Sequence, residues 1–281
     1  MTSAEPFTFG IALVSRQSAG DWDRVQELLD LTLASLQSQT EQDYKVVIAG
    51  HERPRLPKDP RISFLAADWP AEAPDARNAD SGRKHHAISE HVLHSGGGLL
   101  MFVDADDWVD VCTVEVARRM IPRNCAGGLV EQGLVVDLAS LQCAAVPHPR
   151  IFPGDYHRIC GSGGTIRLDA GARDDVRRNP YLTLRPHNCW VEHADAAGLG
   201  LAKLPTLGSY VINHAENHSE IHGPHAQWRA EMTQAVNHEG GMLCEGLAAR
   251  FGLTLERIRT VSSGAARTHK RHDAAPQGAV V

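Results

Sequence analysis

The first 110 residues alternate short apolar runs with stretches of helical periodicity, and this alternation limits the possible folds more than any other feature. Phe7 to Ser15 (FTFGIALVS) reads as a strand. Ser18 to Asp21 supplies a turn and a helix N-cap, after which Val25, Leu28, Leu29, Leu33 and Leu36 recur at helical spacing from Trp22 to Gln39. Tyr44 to Ala49 and Arg61 to Ala66 read as second and third strands, separated by the proline-rich HERPRLPKDP. Asp68 to Asp80 is loop, and Ser81 to Leu93 is a helix stopped by Ser95-Gly96-Gly97-Gly98. Leu99 to Val103 (LLMFV) is a continuous apolar run of the kind a strand needs when both faces of its sheet are covered. Repeated strand–helix units predict an α/β fold with a mostly parallel central sheet flanked by helices.

Ligands of such sheets bind beyond the carboxyl ends of the strands. The fourth predicted strand ends in Asp104-Ala105-Asp106-Asp107. Two carboxylates one residue apart, at a turn, can converge on one ion. Hard divalent cations such as Mg²⁺ and Mn²⁺ take oxygen ligands, and such an ion neutralises charge on a diphosphate leaving group. The three-residue pattern is short, and a solvated acidic turn or a helix cap would look the same.

With these residues in view, LLMFVDADDWVD resembles the metal-binding strand end of family 2 glycosyltransferases of the GT-A fold, which read as an apolar strand followed by Asp-x-Asp-Asp. FGIALVSR, LLDLTLASLQSQT and DYKVVIAG extend the likeness through the first strand, first helix and second strand. The resemblance implies roles residue by residue. Asp104 would approach the ribose or the metal, Asp106 would be the main metal ligand, and Asp107 would support the loop or cap a helix. Asp80, Arg83 and Lys84 (ADSGRKHHAIS) would face the base and diphosphate, the two cations suiting phosphate; a solvated first helical turn is the other reading. Arg16, at the end of the first strand, is a further candidate for the nucleotide. His214, in SYVINHAENHS, would complete the metal shell, with Asn217, His218 and Ser219 in a loop closing over the diphosphate. The base for an inverting transfer would be Glu192, with Asp195 second, in NCWVEHADAAGLG; Glu192-His193 stands where the family carries Glu-Asp, and acids at a helix start would also suit its dipole. Gly161 to Thr165 would line the sugar pocket, and Trp190 either stacks on the acceptor or belongs to the core. His214, His218 and His222, spaced by four, also fit a separate transition-metal site, although Gly223 and Pro224 would end any helix there.

The implied activity is transfer of a sugar from a UDP- or GDP-linked donor to a carbohydrate or lipid-linked hydroxyl, dependent on Mn²⁺ or Mg²⁺, as in polysaccharide biosynthesis. A nucleotidyltransferase of related layout is less consistent, because Arg16 to Gly20 lacks a dense Gly/Lys pattern. A GT-A-like nucleotide-binding module without turnover is the third reading. A formal net charge of -6 argues against a nucleic-acid binder. No run of about 18 apolar residues predicts a membrane span, and no secretory leader is recognisable. Six scattered cysteines without CxxC fit a reducing cytoplasm, with peripheral attachment to an inner membrane left open.

The expected organisation is a catalytic domain over 1–225, with a nucleotide-binding half to about 110 and an acceptor half from 111. C-terminal helices over 226–261 and a disordered tail over 262–281 would follow. In the second half, Trp108 to Ile121, Asn188 to Leu199, Gln227 to Asn237 and Glu239 to Phe251 read as helices. Gly128 to Leu138, Gln142 to Val146 and Ser209 to Asn213 read as strands.

Overall fold

β1 (Phe7–Ala12) is the axis of the fold, because the chain builds outward from it in both directions. The computed structural model describes residues 4–73, 78–179, 182, 187–221 and 226–272, without the side chains of 219, 220 and 264–272. After β1 come α1 (Trp22–Gln37), β2 (Lys45–Gly50), β3 (Ile62–Ala66), α2 (Ala79–His94), β4 (Gly98–Phe102) and α3 (Thr113–Met120). They are followed by β5 (Gly127–Asp137), β6 (Gln142–Val146), β7 (Gly164–Leu168), α4 (Trp190–Ala196) and β8 (Leu201–Ile212). The chain continues through α5 (His218–Ile221), α6 (Ala226–Glu239), β9 (Gly241–Met242), α7 (Glu245–Arg250) and α8 (Leu255–His272).

β2 and β3 add to one edge of β1 and β4 to the other, all parallel. The crossover therefore reverses direction between β1 and β4, which opens a crevice at their carboxyl ends. Beyond β4 the sheet turns mixed: β7 enters antiparallel, β5 and β6 continue antiparallel, and β8 runs parallel to β5. The expected parallel arrangement thus describes β3-β2-β1-β4 and the β5–β8 pair, and the other pairings are antiparallel. β7 follows β4 only after the β5–β6 hairpin and returns in the opposite sense.

Alternation along the strands explains the two faces. Phe7, Phe9, Ile11, Leu99 and Met101 join one core with α1, whereas Leu100 and Phe102 join another with α2 and α4. Asp21 caps α1 by accepting from the Asp23 and Arg24 amides. Arg24, Thr32 and Ser35 of α1 are buried as well, since the polar side of this helix is also covered. Arg24 Nη1 donates to the Val261 carbonyl of α8 at 2.6 Å. Met232 and Val236 of α6 enter the first core, and Leu253 to Ile258 enter one with Leu28 and Leu31, so residues 226–261 pack on the main sheet.

Three sequence expectations are corrected. Trp108 is not helical. It is buried and packs edge-on against Phe251, its amide donates to Ser209 Oγ at 2.6 Å, and Val109 bridges to Gly208. Its backbone groups are used to bind β8, so the helix starts only at Thr113. The region read as one helix from Glu239 to Phe251 breaks at Gly240-Gly241, forms β9 against β6, and resumes as α7. β8 begins eight residues before Ser209, paired with β5 from Leu201 onward, and Pro205, which cannot donate to the ladder, sits where the β5 register shifts between Val130 and Gln132. The backbone of α8 continues to His272, and residues 273–281 of the expected tail lie outside the described residues.

Candidate functional site

The crevice opens into a cavity of about 810 Å³, within the size range of small-molecule sites. Its walls come from the loop after β1, the N-terminal turns of α2, the loop after β4, the segment Ile159–Gly161, His187, the loop after β8 and Arg229 of α6.

Asp104 and Asp106 both line the cavity. Asp104 faces open space but is recessed. Burial, reinforced by the Asp106 charge and opposed by Arg229, pushes its carboxyl up to about 7. His214, fully buried, places Nε2 2.8 Å from Asp106 Oδ2. Asp107 turns away from the cavity. It accepts from Ser162 Oγ at 2.7 Å, Cys160 Sγ at 2.9 Å and the Val211 amide at 3.0 Å, which pins the loop to β8 and to the helical turn Gly161–Gly163. Burial and the two neighbouring aspartates raise its carboxyl well above the usual range. The Ser162 hydroxyl also accepts from the Asp104 amide at 2.9 Å, so one side chain clamps both ends of the motif.

Ligand atoms of Asp104, Asp107 and Cys160 lie within 4.8 Å of one another. That cluster suits a hard divalent ion poorly, because Asp107 is satisfied by three donors and the thiol is soft and raised well above its ordinary value by burial. Asp104 with Asp106 offers oxygen ligands alone, which suits such an ion better. Both line the cavity, and the Asp106 charge adds to burial in raising the Asp104 carboxyl. His214 Nε2 contacts Asp106, but the ligand atoms of Asp104, Asp106 and His214 are not gathered within 4.8 Å of one another.

Asp80 and Lys84 sit on the crevice wall, joined by a 2.5 Å contact. Lys84 is buried, and its Nζ also donates to the Leu13 carbonyl at 2.7 Å, tying α2 to the end of β1. Asp80 further accepts from Trp69 Nε1 and pairs with His51 Nε2, each at 2.9 Å. Burial pushes Asp80 up, but the hydrogen bonds from Lys84, Trp69 and His51 together outweigh it and hold the carboxyl below its ordinary value. A depressed carboxylate stabilises the fold above its unfolded value, about pH 4, and that stabilisation is lost as pH falls through the folded value. Lys84→Met is expected to cost about 3 kcal/mol in urea denaturation at pH 7, since it takes the ammonium from a mostly buried carboxylate and the donor from the Leu13 carbonyl. The acid-side fall in stability should also become shallower. A cost under 1 kcal/mol would show that the pair is not structural.

Raised Asp104 gives the opposite sign. The folded state holds a proton that the unfolded chain has released, so stability falls as pH rises from about 4 to about 7. In chelator-treated buffer, Asp104→Asn should therefore melt higher than the parent at pH 8 and alike at pH 4; equal melting temperatures at both would refute this.

The remaining sequence candidates fall elsewhere. Arg83 is exposed and pairs with Glu72 at 2.6 Å, and Arg16 is exposed with its amide on Glu52. Neither is on the cavity wall. Glu192 and Asp195 are exposed on α4 and do not line the cavity. Trp190 is buried against Gly164, in the core. Of Gly161 to Thr165 only Gly161 lines the cavity. Asn217 and His218 are on the wall, the Ser219 side chain and His222 lie outside the described residues, and the histidine series is therefore described only in part.

Four wall residues had no sequence signal: His85, His187, Glu216 and Arg229. The Arg229 guanidinium stacks on Tyr210 and Trp228, 4.6 and 4.5 Å from their ring centroids, and Nη2 donates to the Ile159 carbonyl. Glu216 accepts from the amides of Gly20 and Asp21, closing the loop after β8 onto the loop after β1. Nothing local in AQWRAE or NHAENHS marks these roles; they arise only when α6 and β8 reach the crevice.

No protein-family model matches the chain, and no curated protein does. Among solved structures it is similar to a 4-diphosphocytidyl-2C-methyl-D-erythritol synthase, at 10% identity and a TM-score of 0.37, covering 83% of this chain and 100% of that one. It is also similar to a protein provisionally named a nucleotide-diphospho-sugar transferase from Desulfovibrio desulfuricans G20, at 12% identity and a TM-score of 0.32, covering 83% and 94%. Both likenesses are distant, and what the site can do follows from its own residues. Among the described residues no helix is long and apolar enough to cross a membrane.

Proposed function

We propose that this chain is a glycosyltransferase of the GT-A type, moving a sugar from a UDP- or GDP-linked donor to a hydroxyl of a carbohydrate or lipid-linked acceptor, with inversion and with Mn²⁺ or Mg²⁺. The observation that carries the reading is the placing of Asp104 and Asp106 at the carboxyl end of β4, on the wall of a cavity that Arg229 also lines. Asp104 and Asp106 would hold the cation, with His214 flanking Asp106. When bound, the ion would neutralise the charge that grows on the departing diphosphate.

The chain's own groups supply the rest. Arg229 has no ion-pair partner among the described residues, and its stacked guanidinium is preorganised to meet phosphate oxygens. Lys84 and Asp80 keep the crevice wall rigid where a nucleoside would lie along the ends of β1 and α2. Glu216 holds the opposite lip.

Calorimetric titration with UDP and GDP, with and without Mn²⁺, tests the reading. Binding should require the metal and vanish in Asp106→Asn. A folded chain that binds neither nucleotide in Mn²⁺ overturns it. Release of pyrophosphate from a nucleoside triphosphate would favour a nucleotidyltransferase instead, and metal-dependent binding without donor cleavage would favour a module lacking turnover.

A further inference from the structure

The exposed positions of Glu192 and Asp195 leave the transfer without an evident base in the cavity. An acceptor hydroxyl attacks well only if its proton has a place to go, so the wall should carry an uncommitted lone pair. The carboxylates on the wall are committed. Asp104 and Asp106 form the cation site. Asp80 meets His51, Trp69 and Lys84. Glu216 is held by two backbone amides, and Glu72 pairs with Arg83. His85 packs on the Phe102 ring at 4.4 Å, and burial lowers its imidazole to about 4.

His187 differs from these. Its Nδ1 lies 2.7 Å from the carbonyl oxygen of His157. A carbonyl can only accept, so Nδ1 carries the proton and, in the neutral ring, Nε2 carries a lone pair. Nε2 has no hydrogen-bond partner among the described residues, and the ring lines the cavity. Its position is also suitable. A point just off the backbone of Gly161 lies 3.6 Å from Asp104 Oδ2 and 3.9 Å from His187 Cδ2, the ring atom bonded to Nε2. Because residue 161 has no side chain, that point is open. The imidazole edge and the first aspartate of the motif therefore border the same space, where a reacting sugar carbon and hydroxyl would meet.

We propose that His187 is the general base that deprotonates the acceptor hydroxyl, an assignment that rests on the transferase reading above. The hydroxyl proton passes to Nε2 as the hydroxyl oxygen bonds to the anomeric carbon. The bond from that carbon to the diphosphate oxygen breaks, and its electron pair leaves with the nucleoside diphosphate. The imidazolium then returns its proton to solvent. Burial favours the neutral ring, the His157 carbonyl opposes that, and the Arg229 and His157 side chains act in the same sense as burial, so the lone pair is present at neutral pH. Asp104 is the acid bordering the same space, and a bound diphosphate would add negative charge and strengthen the base as the donor loads.

The test combines a tautomer measurement with two variants. Nitrogen-15 NMR of the full chain, with His187 assigned by its loss in His187→Asn, should show a neutral ring protonated on Nδ1 at pH 7. A ring protonated on Nε2, or an imidazolium, overturns the proposal. His187→Asn keeps a donor toward the His157 carbonyl but removes the base, whereas His187→Ala removes both. With UDP- and GDP-hexoses as donors and water as acceptor, both variants should release nucleoside diphosphate about 10²–10⁴-fold more slowly, with UDP and GDP binding in Mn²⁺ unchanged. Activity in His187→Asn within threefold of the parent overturns the proposal by making the residue a structural one, as does loss of nucleotide binding in both variants. Failure of the parent itself to bind either nucleotide strikes the transferase reading, whatever tautomer His187 shows.

Discussion

Asp106→Asn is expected to lower turnover of a nucleotide-sugar by about 10²–10⁴-fold while changing the melting temperature little, because a metal-bound charge acting on a leaving diphosphate is worth several kcal/mol. The substitution keeps the shape of the side chain and removes its charge. Asp106 makes few contacts that hold the fold: its side chain is 18% exposed in the cavity and its described partner is His214. Loss of that charge also relieves Asp104, which should ionise more readily, a change that favours the folded state at neutral pH. Asp107→Asn should behave in the reverse way. Its carboxyl is buried and accepts from Ser162, Cys160 and Val211, so an amide there turns a donor toward donors and costs about 1–3 kcal/mol of stability. Steady-state rates in saturating Mn²⁺ and urea denaturation of both variants separate the two cases. Equal losses of rate and stability in both would refute the division of labour between these neighbours.

Tyr156→Ala should destabilise the protein by about 3–5 kcal/mol, the cost of deleting a large buried ring. The ring lies on the faces of Gly133 and Gly208, which are opposite each other in the β5–β8 register, and a methyl group on either would fall 2.0 Å from a ring carbon. No other residue type leaves room for the ring at both places. The hydroxyl donates to the Ser209 carbonyl and is 3.0 Å from Cys160 Sγ, while Cys160 in turn reaches Asp107. One aromatic thus joins the sheet to the loop that carries the aspartates. Gly208→Ala, which fills the same space from the other side, should cost about 1–3 kcal/mol through overpacking. Guanidinium titrations measure both; a Tyr156→Ala loss below 1.5 kcal/mol would mean that the slot is not a keystone of the fold.

The first four strands and their helices were readable because each carries its own pattern. Phe7, Phe9 and Ile11 alternate, Leu29, Leu33 and Leu36 recur at helical spacing, and LLMFV lies in a sheet covered on both faces. The position of Asp104 to Asp107 at a strand end follows from the same pattern. Trp108, Pro205 and Gly240 escape the local pattern for a common reason. Trp108 lends its backbone to β8, the residue after Gly240 pairs with β6, and Pro205 falls where β8 shifts register on β5; such long-range demands leave no local periodicity.

What the sequence determined by itself, then, is the parallel half of the sheet and the strand end at which the acidic motif stands, since hydrophobic spacing is a property of neighbouring residues. The tertiary structure alone decided which of those acids faces the cavity and what stands across from it. Asp106 and Asp107 are adjacent in the chain, yet one meets His214 at the cavity and the other is sealed beneath Ser162 and Cys160. His187 and Arg229 join the same cavity from segments 83 and 125 residues beyond Asp104. Convergence of that kind depends on how α6, β8 and the turns around Cys160 pack against one another, and packing between distant segments has no signature in the order of residues along the chain.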